Sequence, residues 1–278
     1  MYAFQRTDML DTLAEAVRDR HAILFVGAGL SMCLGLPSWR GLIEHMGREL
    51  GCNPKAFANS EADYRTLAEY YRLKKRGLGD LTCWMAENWN ATEDRLRESE
   101  AHRLIVELDF PIVYTTNYDH NLEDAYCAFG KDFVRITSVR DIAKIRNGVM
   151  QVVKFHGDID DEDSLVIGET DYFDRLRFES PLDIKLRADA LGRTILFVGY
   201  SLSDLNIRLL LHRLWRTWAE SGAKHDRPRS FVFMPQPSSV EETVLGHWGL
   251  TVVTEEAESP ERALATFLRK LKARVDAG

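Results

Sequence analysis

The chain reads as an α/β protein, a Rossmann-like doubly wound and mostly parallel sheet with a helical insertion. Three observations predict it. Short apolar runs recur at 22–26, 111–117, 133–136, 151–157, 164–168, 194–200, 230–234 and 250–254. Most are followed by residues at helical spacing, the pattern of strands buried on both faces of a parallel sheet. Several end in a glycine or a polar cluster, which is where ligands bind in open α/β sheets. At 278 residues and 45% hydrophobic, the chain can bury one large domain, 1–278, with an insertion at about 52–106.

In chain order, Met9, Leu10, Leu13 and Val17 recur at helical spacing and lead into the strand Ala22 to Val26. The turn Gly27-Ala28-Gly29-Leu30-Ser31 follows it directly. Ser38 is placed to cap a helix whose apolar residues Trp39, Leu42, Ile43, Met46 and Leu50 share one face, with Gly51 to Pro54 as its stop. Residues 55–105 lack a convincing strand and are rich in Ala, Leu, Glu and Arg, so a helical insertion lying over the strand ends is expected. The remaining strands follow, and 208–278 completes the sheet.

Composition narrows the function. A formal net charge of -7 argues against a nucleic-acid-binding surface. Cys33, Cys52, Cys83 and Cys127 contain no C-x-x-C pair, so neither a zinc site nor a disulfide framework is indicated, and a reduced, cytoplasmic protein is expected. The N-terminus is amphipathic, and no apolar run approaches the ~20 residues of a spanning helix.

Four stretches carry candidate chemistry. In the first, Gly27 and Gly29 suit close approach of a pyrophosphate, or simply a tight ligand-free turn. Met32 stands where a dinucleotide fingerprint has its third glycine, and no Gly-Lys-Ser/Thr follows, so an ordinary dehydrogenase or P-loop enzyme is disfavoured. In the second, Thr115, Thr116, Asn117 and Asp119 crowd one strand end, as ligand groups or as caps of the next helix. The third places His156 at a strand end before Gly157, where a base of near-neutral pKa can meet a ligand, although a lone histidine is more often structural. Asp158, Asp160, Glu162 and Glu169 imitate a calcium-loop spacing without its central glycine, and read better as a solvated acidic turn. In the fourth, Gly199, Ser201 and Asp204 could hold ribose or adenine, with a Ser203 helix cap as the plainer alternative.

Taken in order, GAGLS, GLPSWRG, TTNYD, FHG and GYSLSD resemble the motif series of the sirtuin superfamily over residues 22 to about 207. The resemblance implies that Gly27, Ala28, Gly29 and Ser31 hold the pyrophosphate of NAD. Trp39 and Arg40 would lie over the nicotinamide ribose, and Thr115, Asn117 and Asp119 would orient ribose and carboxamide. His156 would be the general base, and Gly199, Ser201 and Asp204 would serve the adenosine half. The four zinc cysteines of protein-deacylating sirtuins are missing after the histidine, Thr116 replaces the usual glutamine and Trp39 the usual phenylalanine. These departures resemble the prokaryotic sirtuin-like NAD hydrolases of anti-phage defence. The implied activity is cleavage of NAD to nicotinamide and ADP-ribose with Asn117 and His156 catalytic and no cofactor beyond NAD as substrate. An NAD-dependent deacylase or ADP-ribosyltransferase, or a non-catalytic nucleotide-binding module, are the alternatives. A homo-oligomer, or a hetero-complex with an ATPase or a nucleic-acid-sensing defence protein, is the expected form. Tyr70, Tyr71, Trp84, Trp89, Trp215 and Trp218 are its interface candidates.

Overall fold

A computed structural model describes residues 2–177, 179–200, 204–223 and 226–278. Among the described residues, strands β1 (Ala22–Val26), β2 (Ile112–Thr115), β3 (Phe133–Ile136), β4 (Met150–Lys154), β5 (Thr194–Val198), β6 (Ser230–Phe233) and β7 (Leu250–Val253) form one sheet. Its order is β3-β4-β2-β1-β5-β6-β7 and every neighbouring pair is parallel. The first eight helices are α1 (Tyr2–Arg18), α2 (Ala28–Met32), α3 (Trp39–Glu49), α4 (Pro54–Ala58), α5 (Tyr64–Lys75), α6 (Gly79–Asn88), α7 (Glu93–Glu98) and α8 (Glu100–Glu107). Then come α9 (Asn121–Ala128), α10 (Val139–Ile142), α11 (Glu169–Arg175), α12 (Pro181–Leu191), α13 (Leu205–Glu220), α14 (Ser239–His247) and α15 (Pro260–Ala277). No described helix is long and apolar enough to cross a membrane.

The uninterrupted apolar runs follow from two covered faces. Along β1, Ala22, Leu24 and Val26 pack with α1, α8, α9 and α15, whereas Ile23 and Phe25 pack with α12, α13 and α14. The register sets Phe25 between Tyr114 and Phe197, with ring centroids 5.8 Å and 5.2 Å away. Each such buried side chain contributes about 1.5–3 kcal/mol relative to exposure.

A third core lies beyond the strand ends. Leu42, Ile43 and Met46 of α3, Leu67 and Tyr71 of α5, and Leu81 and Met85 of α6 pack there with Tyr118, Ile159, Leu165 and Ile167. This core explains why the apolar run 164–168, expected as a strand, is not one. A 3-10 turn covers Glu162–Ser164, and Leu165 and Ile167 then bury themselves under the helices instead of joining the ladder. α8 belongs with the sheet rather than with the third core, since Ala101, Leu104 and Ile105 pack on the strands.

The aromatic residues expected at an interface are mostly used internally. Tyr71 and Trp89 are buried, Trp84 stacks on His45 at 3.9 Å, and the Trp215 and His247 ring centroids are 5.1 Å apart. Trp218 donates its indole N–H to Leu191 O at 3.2 Å, which leaves Tyr70 exposed.

Candidate active site

The chain crosses from one half of the sheet to the other between β1 and β5, and the two turns leaving these strands touch backbone to backbone. Gly27 N donates to Val198 O at 3.0 Å and Gly29 N to Gly199 O at 2.8 Å. A Cβ on Gly29 would meet Gly199 Cα at 2.8 Å, and one on Gly199 would meet Leu30 N at 2.5 Å. Gly199 also has φ +61°, a left-handed conformation that glycine adopts freely. The glycines expected to make room for pyrophosphate therefore make room first for each other.

At the end of β2 the polar residues are knitted into the scaffold. Thr115 Oγ1 donates to Val26 O at 3.0 Å and accepts from Asn117 N at 3.0 Å. Asn117 Nδ2 donates to Gly27 O at 3.2 Å and to Ser31 Oγ at 3.1 Å, and Ser31 Oγ donates to Asp119 Oδ2 at 2.8 Å. Asp119 Oδ1 accepts from Asn121 N at 3.1 Å. All four side chains are buried. Below them Lys154, fully buried, donates to Tyr118 O at 3.1 Å and pairs with Glu123 at 3.3 Å.

The end of β4 is different. His156 is 2% exposed, and its Nε2 has no hydrogen-bond partner. Asp204 Oδ2 stands 3.7 Å from that nitrogen. Tyr172 sets its ring edge-on to the imidazole, centroids 5.5 Å apart, and donates its hydroxyl to Asp204 Oδ2 at 3.3 Å. Burial pushes His156 down to about 4, against the opposing pull of Asp204, so the ring is uncharged at neutral pH. Gly157, at φ +93°, presses its backbone against Ser164, leaving no space for a Cβ. Behind the histidine, Arg175 pairs with Asp183 at 3.1 Å and donates to Phe155 O at 3.0 Å.

A cavity of about 780 Å³ opens over the switch point. Among the residues singled out in the sequence, Ala28, Gly29, Ser38, Trp39, Arg40, Thr116, His156, Gly199 and Asp204 line it. Gly27, Ser31, Thr115, Asn117 and Asp119 stand behind that lining, and Ser201 lies outside the described residues, as does Ser203. Asp204 itself caps α13, accepting from Asn206 N and Ile207 N at 2.8 Å and 3.2 Å. Its other oxygen faces His156 Nε2 at 3.7 Å. Arg40 bonds Glu44 at 3.1 Å and Asn59 at 2.7 Å from the rim.

Sequence reasoning missed Tyr172, Asp63, Tyr64 and Arg65 in the lining, together with Phe233 to Gln236. The Arg65 guanidinium lies over the Tyr172 ring, 5.2 Å from its centroid. No local motif marks these residues; only the helical spacing of 64–75, which buries one face and leaves its N-terminal residues at the strand ends, hinted at them. The acidic run does not converge as a calcium loop would. Glu162 accepts from Leu78 N and Glu169 from Thr66, while Asp158 and Asp160 join His120 and Arg135 in a closed ion-pair group. Burial raises the Asp158 carboxyl, but the His120 hydrogen bond and the Lys154 charge outweigh it and hold it at about 2.

Comparison with known proteins adds an independent finding. Residues 111–253 match the SIR2-like domain family. The NAD(+) hydrolase ThsA of Enterococcus faecium is 34% identical over 207 residues, 73% of this chain and 42% of that protein. Defense-associated sirtuin 2 of Bacillus subtilis is 25% identical over 253 residues, 88% of this chain and 24% of that protein. The chain thus spans less than half the length of these curated relatives. A solved structure from work on the "Structural Basis for the Mechanism and Regulation of Sir2 Enzymes" has a TM-score of 0.45 and 14% identity, covering 97% of this chain and 98% of that one.

Proposed function

This chain belongs to the SIR2-like domain family, and we propose that it is an NAD glycohydrolase, releasing nicotinamide and ADP-ribose in anti-phage defence. The observation that carries the reading is His156, a buried and uncharged base with an unpartnered Nε2, in the wall of a cavity at the topological switch point. The names of its relatives ThsA and defense-associated sirtuin 2 support the substrate and the setting.

In the proposed reaction the bond between C1′ of the ribose and the pyridinium nitrogen breaks, and its electron pair stays on nicotinamide, which leaves neutral. The leaving group needs no proton. Water adds to C1′ and loses one proton to His156, which returns it to solvent when ADP-ribose departs. The turn Gly27, Ala28, Gly29 and Ser31 carries the pyrophosphate, and Trp39 and Arg40 face the nicotinamide ribose. Asn117 spends both amide N–H groups on Gly27 and Ser31, so its part, with Thr115 and Asp119, is to hold that turn. Residues 1–278 act as one unit, with α4 to α6 of the insertion as the wall over the cleft and α8 on the sheet. Activity depends on assembly, as a homo-oligomer or with an ATPase or nucleic-acid-sensing partner.

Purified protein incubated with NAD, with and without an acetylated peptide, tests the reading. Nicotinamide release without peptide supports the hydrolase, release only with peptide makes it a deacylase, and binding without release makes it a nucleotide-binding module. Light scattering with turnover across a dilution series tests assembly: a monomer of constant specific activity, unresponsive to a partner, removes that part.

A further inference from the structure

We infer that Asp204 is a positioning residue that acts through His156, holding a fixed negative charge against the nitrogen that takes the proton. The inference rests on the NAD-hydrolase reading for its reaction, but the pairing itself is a property of the chain. Both oxygens of the carboxylate are engaged, and the side chain is 12% exposed where it lines the cavity. Oδ1 accepts from Asn206 N and Ile207 N, and Oδ2 accepts from the Tyr172 hydroxyl, leaving Oδ2 facing His156 Nε2 across 3.7 Å. That gap is too long for a hydrogen bond to a neutral ring and short enough for a strong attraction once the ring is charged.

The surroundings isolate this pair. From α11 come Tyr172, uncharged because burial and the nearby Asp204 raise its pKa, and Arg175; from α12 comes Asp183; from α5 comes Arg65, over the Tyr172 ring. Arg175 is already paired with Asp183, so the negative charge left for a protonated His156 is that of Asp204. The carboxylate sits at the N-terminus of the 16-residue α13, where the helix dipole favours the anion. When water adds to C1′ and its proton moves to Nε2, the imidazolium forms against a carboxylate that needs no rearrangement. Without that charge, burial and the Arg175 guanidinium oppose the same proton transfer, and only Asp183 favours it.

Asp204→Asn removes the charge and keeps an oxygen for the helix cap. The expected result is a fall in kcat of about tenfold to a hundredfold with KM changed less than about twofold, and an acid limb of the kcat profile displaced to lower pH. A raised KM with intact kcat and an unmoved acid limb would overturn the inference and return Asp204 to substrate binding. Without NAD, the imidazole ¹⁵N signals of His156, identified by their loss in His156→Ala, should titrate at lower pH in Asp204→Asn than in the unsubstituted protein. An unmoved midpoint also overturns it. If the midpoint moves but the unsubstituted protein releases no nicotinamide, the pairing stands and the NAD reading fails. Asp204→Ser, also a good cap without charge, repeats both measurements should the Asn variant fold poorly.

Discussion

The end of β2 and the end of β4 offer similar polar groups and use them in opposite ways. Thr115, Asn117 and Asp119 turn inward and bond to Val26, Gly27, Ser31 and Asn121. His156, two residues past β4, is just as buried yet keeps an unpartnered nitrogen beside a cavity. A buried polar group bonded by the protein stabilises the fold, whereas one left unbonded destabilises it and is free for a ligand. The contrast therefore separates scaffold from chemistry better than the type of residue does.

The largest expected effect breaks the β4 side alone. His156→Ala should lower NAD turnover by about 100-fold to 10,000-fold, read as nicotinamide release, while the thermal midpoint stays level or rises. Unchanged turnover would remove the mechanism.

Next is pH. His156 and His102 are both pushed by burial from 6.5 to about 4, so the unfolded chain binds their protons first as pH falls. Each therefore contributes stability above pH 6.5 that is lost between 6.5 and about 4, by at most about 3 kcal/mol at 1.36 kcal/mol per pKa unit. Urea unfolding at pH 7, 5.5 and 4.5 should show the decline, and His156→Ala should flatten part of it. A flat profile would mean that the histidines are not buried uncharged. Asp158, held at about 2, acts in a separate and more acidic window.

On the β2 side, Asn117→Ala or Asp119→Ala should cost about 1–3 kcal/mol in urea unfolding, together with a loss of turnover. If turnover falls at unchanged stability, Asn117 belongs with the chemistry and the contrast dissolves. Smallest of all, Arg40→Ala should raise KM only about threefold at constant kcat, because its guanidinium is already engaged by Glu44 and Asn59.

Much of the fold was legible because strands covered on both faces leave continuous apolar runs, as Ala22 to Val26 shows. The run at 164–168 misled because burial, not pairing, selected its residues: Leu165 and Ile167 fill the third core. Ser38 was readable as a cap, its Oγ accepting from Gly41 N at 3.4 Å. His156 and the glycine turns could be read from local pattern. Its encounter with Asp204 could not, since β4 and β5 are separated in the sheet by β2 and β1, and the two residues meet only beyond the strand ends. Arg65 over Tyr172 likewise joins residues with no local relation.

The interlock of Gly27 and Gly29 with Gly199 limits how this fold can adapt. Gly29 and Gly199 meet backbone against backbone, and Gly27 lies against Gly199 and the Tyr200 ring, so the floor of the cleft is a fixed gauge with no room for an added Cβ. On the proposed NAD reading, a change of preferred dinucleotide must then come from the walls. Gln236 can be exchanged without touching the gauge, whereas Asp63 caps α5, Arg65 covers Tyr172 and Met234 is buried in the core, so a library should begin at Gln236.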